Sequence, residues 1–281
     1  MKRIFKIFCF FTLFSFFAAI GCGFYAYFIE SRRLVVTVKK LEIDGWSDGQ
    51  NGFKIVAISD LHAGAHYMDE ARIRSIVERA NAQNPDLIVL LGDFVSEVDG
   101  RGTALTMPVE AMADNLKGLR AKFGVFAVIG NHDWWHDEQK VRENLERVGY
   151  RVLENQAESF EKDGEKVTVL GIEDFWKRKK VDIEKVVANI GSNRNIIAIT
   201  HNPDSFDQLP KEISLLLAGH THGGQVVIPF YGPPIVVAKR EYTRGLVRKN
   251  NQSLFVTTGV SAMIRFGVPP EIAVLTLESR K

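Results

Sequence analysis

The stretch Ser214-Leu215-Leu216-Leu217-Ala218-Gly219-His220-Thr221-His222-Gly223-Gly224-Gln225 joins a short apolar run to a glycine-bounded turn that carries two imidazoles. A brief run of large aliphatic residues ending at a glycine predicts a strand buried on both faces, over 214–218. In an extended or sharply turned backbone, residues two apart point the same way, so His220 and His222 can reach one metal ion.

The same grammar recurs upstream. Ile58-Ser59-Asp60-Leu61-His62 closes a run over 53–59, Leu91-Gly92-Asp93 closes one over 86–91, and Ile129-Gly130-Asn131-His132-Asp133 closes one over 125–129. Ile199-Thr200-His201 closes a fourth, over 196–200. Further strands are predicted over 35–43, 167–171, 226–229, 254–258 and 272–277, and helical spacing over 69–83, 108–120 and 137–148. No internal repeat or Ser/Pro linker interrupts this alternation, so the soluble part reads as one α/β domain with a large mixed sheet system.

Carboxyl ends of neighbouring strands converge on one crevice in such folds. Asp60, His62, Asp93, Asn131, His201, His220 and His222 would therefore meet. This mixed oxygen and nitrogen set suits Mn, Fe, Zn or Co better than Mg or Ca. Seven ligands exceed one open tetrahedral site and fit two metals that share a carboxylate. One Asp-x-His alone would mean little, but five of the seven histidines lie in these strand-end motifs.

Together, Asp60-x-His62, Gly92-Asp93, Gly130-Asn131-His132-Asp133, His201 and Gly219-His220-x-His222 resemble the calcineurin-like metallophosphoesterase superfamily, over about residues 53–277. The 219–225 string and the closing Arg265-Phe266-Gly267-Val268-Pro269-Pro270-Glu271-Ile272 resemble its small bacterial membrane-associated branch. That branch includes phosphodiesterases of the YaeI and YkuE type and the UDP-2,3-diacylglucosamine pyrophosphatase LpxG. The resemblance implies a four-layer αββα sandwich and two divalent ions, Mn first, with Fe, Zn or Co as alternatives. It implies one metal on Asp60, His62 and His222, a second on Asn131, His201 and His220, and Asp93 bridging them. His132 would act on the substrate with Asp133 orienting its ring, and the nucleophile would be a metal-bridging hydroxide.

Ahead of this domain, residues 7–29 form an uncharged run of 23 residues with eight phenylalanines, long enough to span a bilayer. Residues 1–6 are a basic flank, 30–52 an edge strand and connection, and 53–281 the phosphoesterase domain. Ala19-Ile20-Gly21 would suit a signal-peptidase site, yet the apolar run continues eight residues beyond it, which favours a retained single-pass transmembrane helix. Lipidation at Cys22 ranks last. Basic residues flank both ends, so orientation across a bacterial inner membrane stays open. Of 36 basic and 34 acidic residues in the chain, Lys2, Arg3 and Lys6 precede every acidic one, which leaves the rest at a net −1. That balance excludes nucleic acid as the expected partner.

Arg240, Arg244 and Arg265 are candidates for holding a diphosphate or another anionic group. Trp134 and Trp135 are read either as a substrate or lipid wall or as loop packing. His66 and His136 are placed in solvent or behind the ligands, and 176–180 as a solvated basic loop. The expected function is a membrane-anchored dinuclear phosphoesterase cleaving a phosphodiester or pyrophosphate, with a lipid-linked substrate such as UDP-2,3-diacylglucosamine as the sharper version. A soluble periplasmic diester is its rival if the domain faces outward. A metal-dependent amide hydrolase is disfavoured for want of a His-x-His-x-Asp-His string, and a metal-binding scaffold without catalysis for want of any missing ligand.

Overall fold

The computed structural model describes residues 2–96, 105–177, 183–188, 190 and 194–280. In chain order its elements are α1 (Lys2–Phe24), β1 (Val35–Ile43), β2 (Phe53–Ile58), α2 (Glu70–Asn81), β3 (Leu87–Leu90), α3 (Val109–Leu116), β4 (Val125–Ala127), α4 (Asn131–His136) and α5 (Glu138–Arg147). There follow β5 (Arg151–Val152), β6 (Gln156–Lys162), β7 (Glu165–Gly171), α6 (Ile183–Ala188), β8 (Asn195–Ile199), β9 (Leu215–Ala218), β10 (Gly245–Lys249), β11 (Gln252–Val256) and β12 (Glu271–Ser279).

The strands form two six-stranded sheets, ordered β1-β12-β2-β3-β4-β5 and β10-β11-β9-β8-β7-β6. Pairing is mixed: β2, β3, β4 and β5 run parallel, β12 opposes β2, and β7, β8, β9 and β11 run parallel between the antiparallel edge strands β6 and β10. The side-chain period of two explains how the layers form. On β2, Phe53, Ile55 and Ala57 enter the core between the sheets, while Val56 and Ile58 face the helical layer of α2, α3 and α5. Leu87 and Val89 on β3 divide from Ile88 and Leu90 in the same way. The second sheet sends Ile197, Ile199, Leu215 and Leu217 inward and Ala198, Leu216 and Ala218 outward against α6 and the 3-10 turn Pro203–Gln208. The result is the αββα sandwich, with every strand of the centre buried on both faces as near-continuous aliphatic sequence requires.

Helix starts follow their caps. Asp69 accepts from Arg72 N at the head of α2, and Asp137 accepts from Lys140 N at the head of α5. Residues 226–229 depart from the expected strand. They make only isolated bridges, Val226 to Phe266 and Ile228 to Gly232, because the chain turns through the left-handed region at Gly223, Gly224 and Gln225.

The N-terminal helix begins at Lys2, so the basic flank is part of it rather than a separate segment. With its continuation, Lys2–Arg32 is one helical stretch of 31 residues whose apolar part reaches a mean hydropathy of 2.1, long and apolar enough to cross a membrane. A π-helical turn, Tyr25–Ile29, and a 3-10 turn, Glu30–Arg32, then bring it onto the domain.

Candidate metal centre

Each expected ligand stands just beyond a strand of the central region. Asp60 and His62 follow β2, Asp93 follows β3, Asn131 opens α4 after β4, His201 follows β8, and His220 and His222 follow β9. Five of these seven, Asp60, His62, Asp93, His220 and His222, have φ between 45° and 72°. Non-glycine residues held there store roughly 1–3 kcal/mol each. Left-handed turns rather than extended backbone thus aim the paired side chains: Asp60 and His62 enter one set, whereas His220 and His222 enter different sets instead of reaching one metal position. Close approach of backbones demands glycine at two points: a Cβ on Gly130 would overlap the Asp93 carboxylate, and one on Gly219 would overlap Ser59.

The side chains gather as Asp60, His62 and His222, as Asp93, His201 and His220, and as His62, Asp93 and His132, each set with ligand atoms within 4.8 Å of one another. Asp93 Oδ2 lies at the junction: 3.1 Å from His201 Nε2, 3.6 Å from His62 Nε2 and 3.9 Å from His132 Nε2. Its other oxygen accepts from His132 N at 2.9 Å. Backbone carbonyls fix three rings. His201 Nδ1 meets Leu91 O at 2.7 Å, His222 Nδ1 meets Ser261 O at 3.0 Å, and His62 Nδ1 meets Val95 O at 3.2 Å. Each carbonyl requires Nδ1–H and so turns a lone pair on Nε2 toward the cluster. His220 is reversed, with Nδ1 3.1 Å from His201 Nε2.

Two oxygens of the set, Asp60 Oδ1 and Asn131 Oδ1, are buried without a hydrogen-bond partner. An unpaired buried acceptor is costly, and a cation is what this arrangement of imidazole, carboxylate and amide donors accommodates. The residues fit divalent metal.

The electrostatics of three of the rings agree. Burial pushes His62 down to about 4 and His220 and His222 down to about 3, so these rings are neutral near pH 7, as metal ligands must be. Burial also opposes charge on His201, but the Asp93 carboxylate overrides it and raises His201 to about 10, so without metal this ring carries a proton on Nε2 that metal binding would displace. Despite burial, Asp93 is held well below the usual carboxylate range by His201.

Asp133 has a role different from the expected one. Its oxygens accept from the backbone N–H groups of Asp93, Phe94, Val95 and Gly130, at 2.7–3.1 Å. With four backbone donors on its oxygens, it fastens the Asp93 loop to α4. His132 instead sits between the rings of His62 and Trp135, at 4.6 and 4.9 Å.

Arg265 is likewise a correction. It is fully buried, and its guanidinium donates to the carbonyls of His222 and Thr258 at 2.6 Å and to that of Ser261. It braces the ligand loops and presents nothing to a substrate. Arg240 and Arg244 are exposed, next to the turn that Thr221 Oγ1 ties to Thr243 O at 2.7 Å.

The two tryptophans divide their roles: Trp134 packs on the helical-layer core, while Trp135 stands 5.9 Å from Trp176, which lies edge-on to His220 at 5.3 Å. These two rings form an aromatic rim over the cluster. Of the basic loop expected over 176–180, residues 178–180 lie outside the described residues. His66 is half-buried, with its ring tilted against those of Tyr67 and Tyr27, at 3.7 and 4.2 Å. Asp174 was not anticipated. Burial raises it to about 6, and its Oδ2 has no partner. The available signal was its position shortly after Gly171, at the same sheet end as the other ligands.

The profile of the calcineurin-like phosphoesterase family matches residues 53–224. This chain belongs to that family. It is 30% identical over 267 residues to the uncharacterised metallophosphoesterase YkuE of Bacillus subtilis, covering 92% of this chain and 91% of that one. It is 30% identical over 239 residues to the phosphodiesterase YaeI of Escherichia coli, covering 83% and 84%. A zebrafish transmembrane protein with a metallophosphoesterase domain is 27% identical over 250 residues, 83% of this chain and 54% of that one. Among solved structures, Haemophilus influenzae NAD nucleotidase aligns with TM-score 0.52 at 14% identity, over 75% of this chain and 50% of that one, which shows a shared fold. The protein is a metal-dependent phosphoester hydrolase whose Asp and His cluster is built to hold metal.

Proposed function

We propose that the chain is a membrane-anchored phosphodiesterase or pyrophosphatase working with two divalent ions, Mn first among them. The observation that carries this reading is Asp93 Oδ2, shared between the imidazoles of two ligand groups. When bound, a metal pair neutralises phosphoryl charge and makes a water acidic enough to attack near neutral pH. The remaining work falls to the chain. His132, part-exposed at the rim with its N–H tied to Asp93, delivers a proton from Nε2 to the departing oxygen. The Trp135 and Trp176 rings shield the reacting phosphorus from bulk water and offer a flat face to a nucleoside or aryl group. Arg244 supplies an exposed cation for a second phosphate, which favours a diester or diphosphate over a monoester.

YaeI is named a phosphodiesterase, which supports the same bond class here. The apolar helix supports tethering and, through effective concentration, a lipid-linked substrate such as UDP-2,3-diacylglucosamine. The test offers the full-length protein, in detergent with Mn, bis-p-nitrophenyl phosphate, p-nitrophenyl phosphate and UDP-2,3-diacylglucosamine side by side. Metal-dependent turnover of the diester or the pyrophosphate above the monoester is expected. Turnover unaffected by chelation, or preference for the monoester, contradicts the proposal.

A further inference from the structure

The loop after the metal-binding turn has an apolar surface that nothing in the catalytic chemistry uses. Phe230 is fully exposed, Ile235 is 76% and Tyr231 68% exposed, and Ile228 and Val237 are open as well. Met263 and Ile264 add 63% and 40% exposure on the neighbouring segment. The two segments are held together: Val227 N donates to Phe266 O at 2.7 Å, and Phe266 N to Gln225 O at 2.9 Å. Arg240 Nη1 braces the loop through Pro233 O at 3.0 Å. Two bridged segments that both expose large apolar side chains mark an interaction surface.

Its neighbour identifies the occupant. The 263–267 segment is fastened to the base of the apolar helix. Arg265 N donates to Ala26 O at 3.2 Å, Ser31 Oγ to Met263 O at 3.2 Å, and Gly267 N to the buried Glu30 carboxylate at 2.8 Å. Phe28 and Ile29, at the end of that helix, are themselves 43% and 48% exposed. Exposed Arg32 and Arg33 stand at the same junction, and Arg240 and Arg244 follow the loop, so cations border the apolar surface. Apolar and aromatic tips ringed by arginine match the boundary between acyl chains and anionic headgroups.

We infer that the loop over 226–237, with Met263 and Ile264, is a second membrane-docking surface that lies in the headgroup layer of the bilayer beside the helix. This rests on the helix being a membrane anchor. The metal cluster then faces the membrane, because the helix base and the loop both join the domain at the carboxyl ends of the strands. The β10–β11 turn at Asn250–Asn251 lies at the opposite end, since β11 leaves that turn and runs parallel to β9 toward the cluster.

The test uses the full chain with Cys9 and Cys22 replaced by serine, carrying a single cysteine in place of Phe230, Ile235 or Asn250, each labelled with an environment-sensitive nitrobenzoxadiazole. The proteins are reconstituted into phosphatidylethanolamine–phosphatidylglycerol vesicles and floated. Blue-shifted emission, with loss of intensity when brominated lipid is included, is expected at 230 and 235 and absent at 250. If the protein floats with the vesicles while 230 and 235 remain as polar and unquenched as 250, the docking surface is refuted and the anchor stands. If the protein does not float, the anchor reading fails and the docking surface with it.

Discussion

At the residue scale, the proposed chemistry divides the centre into groups that would gather metal and one, His132, that would handle a proton. His132 →Ala leaves the Asp60, His62 and His222 set and the Asp93, His201 and His220 set intact. Full metal content by elemental analysis is therefore expected, with turnover lowered by about 10²–10⁴-fold, the usual worth of a positioned general acid. Loss of metal in this variant would make His132 a ligand. Acid sensitivity follows from the imidazoles. His62, His220 and His222 are lowered by burial to about 4, 3 and 3, against an unfolded value near 6.5. Below pH 6.5 the unfolded chain takes up protons that the folded one refuses, so stability falls as pH drops toward 4. His201, raised to about 10, stabilises fully below pH 6.5 and loses that contribution only as pH rises through 10, so it does not offset the acid-side loss. Asp133 and Asp174, raised by burial to about 7 and 6, take up protons in the folded state first and offset part of it, which leaves the three imidazoles ahead. The chelated protein should show a melting temperature that declines from pH 6.5 to 4.5, and a flat profile would contradict the neutral buried rings. The gathering of Asp60, His62, Asp93, His201, His220 and His222 was legible in sequence because each sits in a short motif at a strand end. The role of Asp133 was not, because its partners are backbone N–H groups that leave no mark on side-chain identity.

At the element scale, the two-sheet core holds the strand ends in register, and its aromatic floor is the place to test it. Phe53 is fully buried between the sheets and stacks on Phe123 and Phe160, at 6.1 and 6.2 Å. Phe53→Ala is expected to cost about 3–5 kcal/mol, read as a lowered denaturation midpoint. A change within error would mean that the sheets close over the gap. Strands buried on both faces, such as β3 and β9, read plainly as aliphatic runs. The edge strands β6 and β10 did not, because Gln156–Lys162 and Gly245–Lys249 keep much of their surface in water and carry little apolar pattern. The opposite error occurred over 226–229, where apolar residues suggested a strand and only isolated bridges form. The residues are instead half-buried or exposed groups, and apolar composition alone does not distinguish a strand from an apolar surface loop.

At the scale of the whole molecule, the apolar helix was legible from length and composition, but its grip on the catalytic loops was not. Arg265 links the two: its N–H donates to Ala26 O, and its guanidinium holds the His222 carbonyl. A fragment starting at Tyr25 keeps that link, whereas one starting at Leu34 loses it and also the Glu30 contact to Gly267. Both are expected to fold, with the shorter melting lower and binding Mn more weakly in titration. Equal Mn affinity in the two would show that the helix base is a passive tether.

The central claim is that one carboxylate joins two metal-binding sets into a single centre. Counting bound ions per chain tests it most directly, by elemental analysis of Mn-loaded full-length protein and of Asp93→Ala. Two ions per wild-type chain are expected, with most of both lost in the variant. A wild-type chain that saturates at one ion, or an Asp93→Ala chain that still holds two, would contradict it.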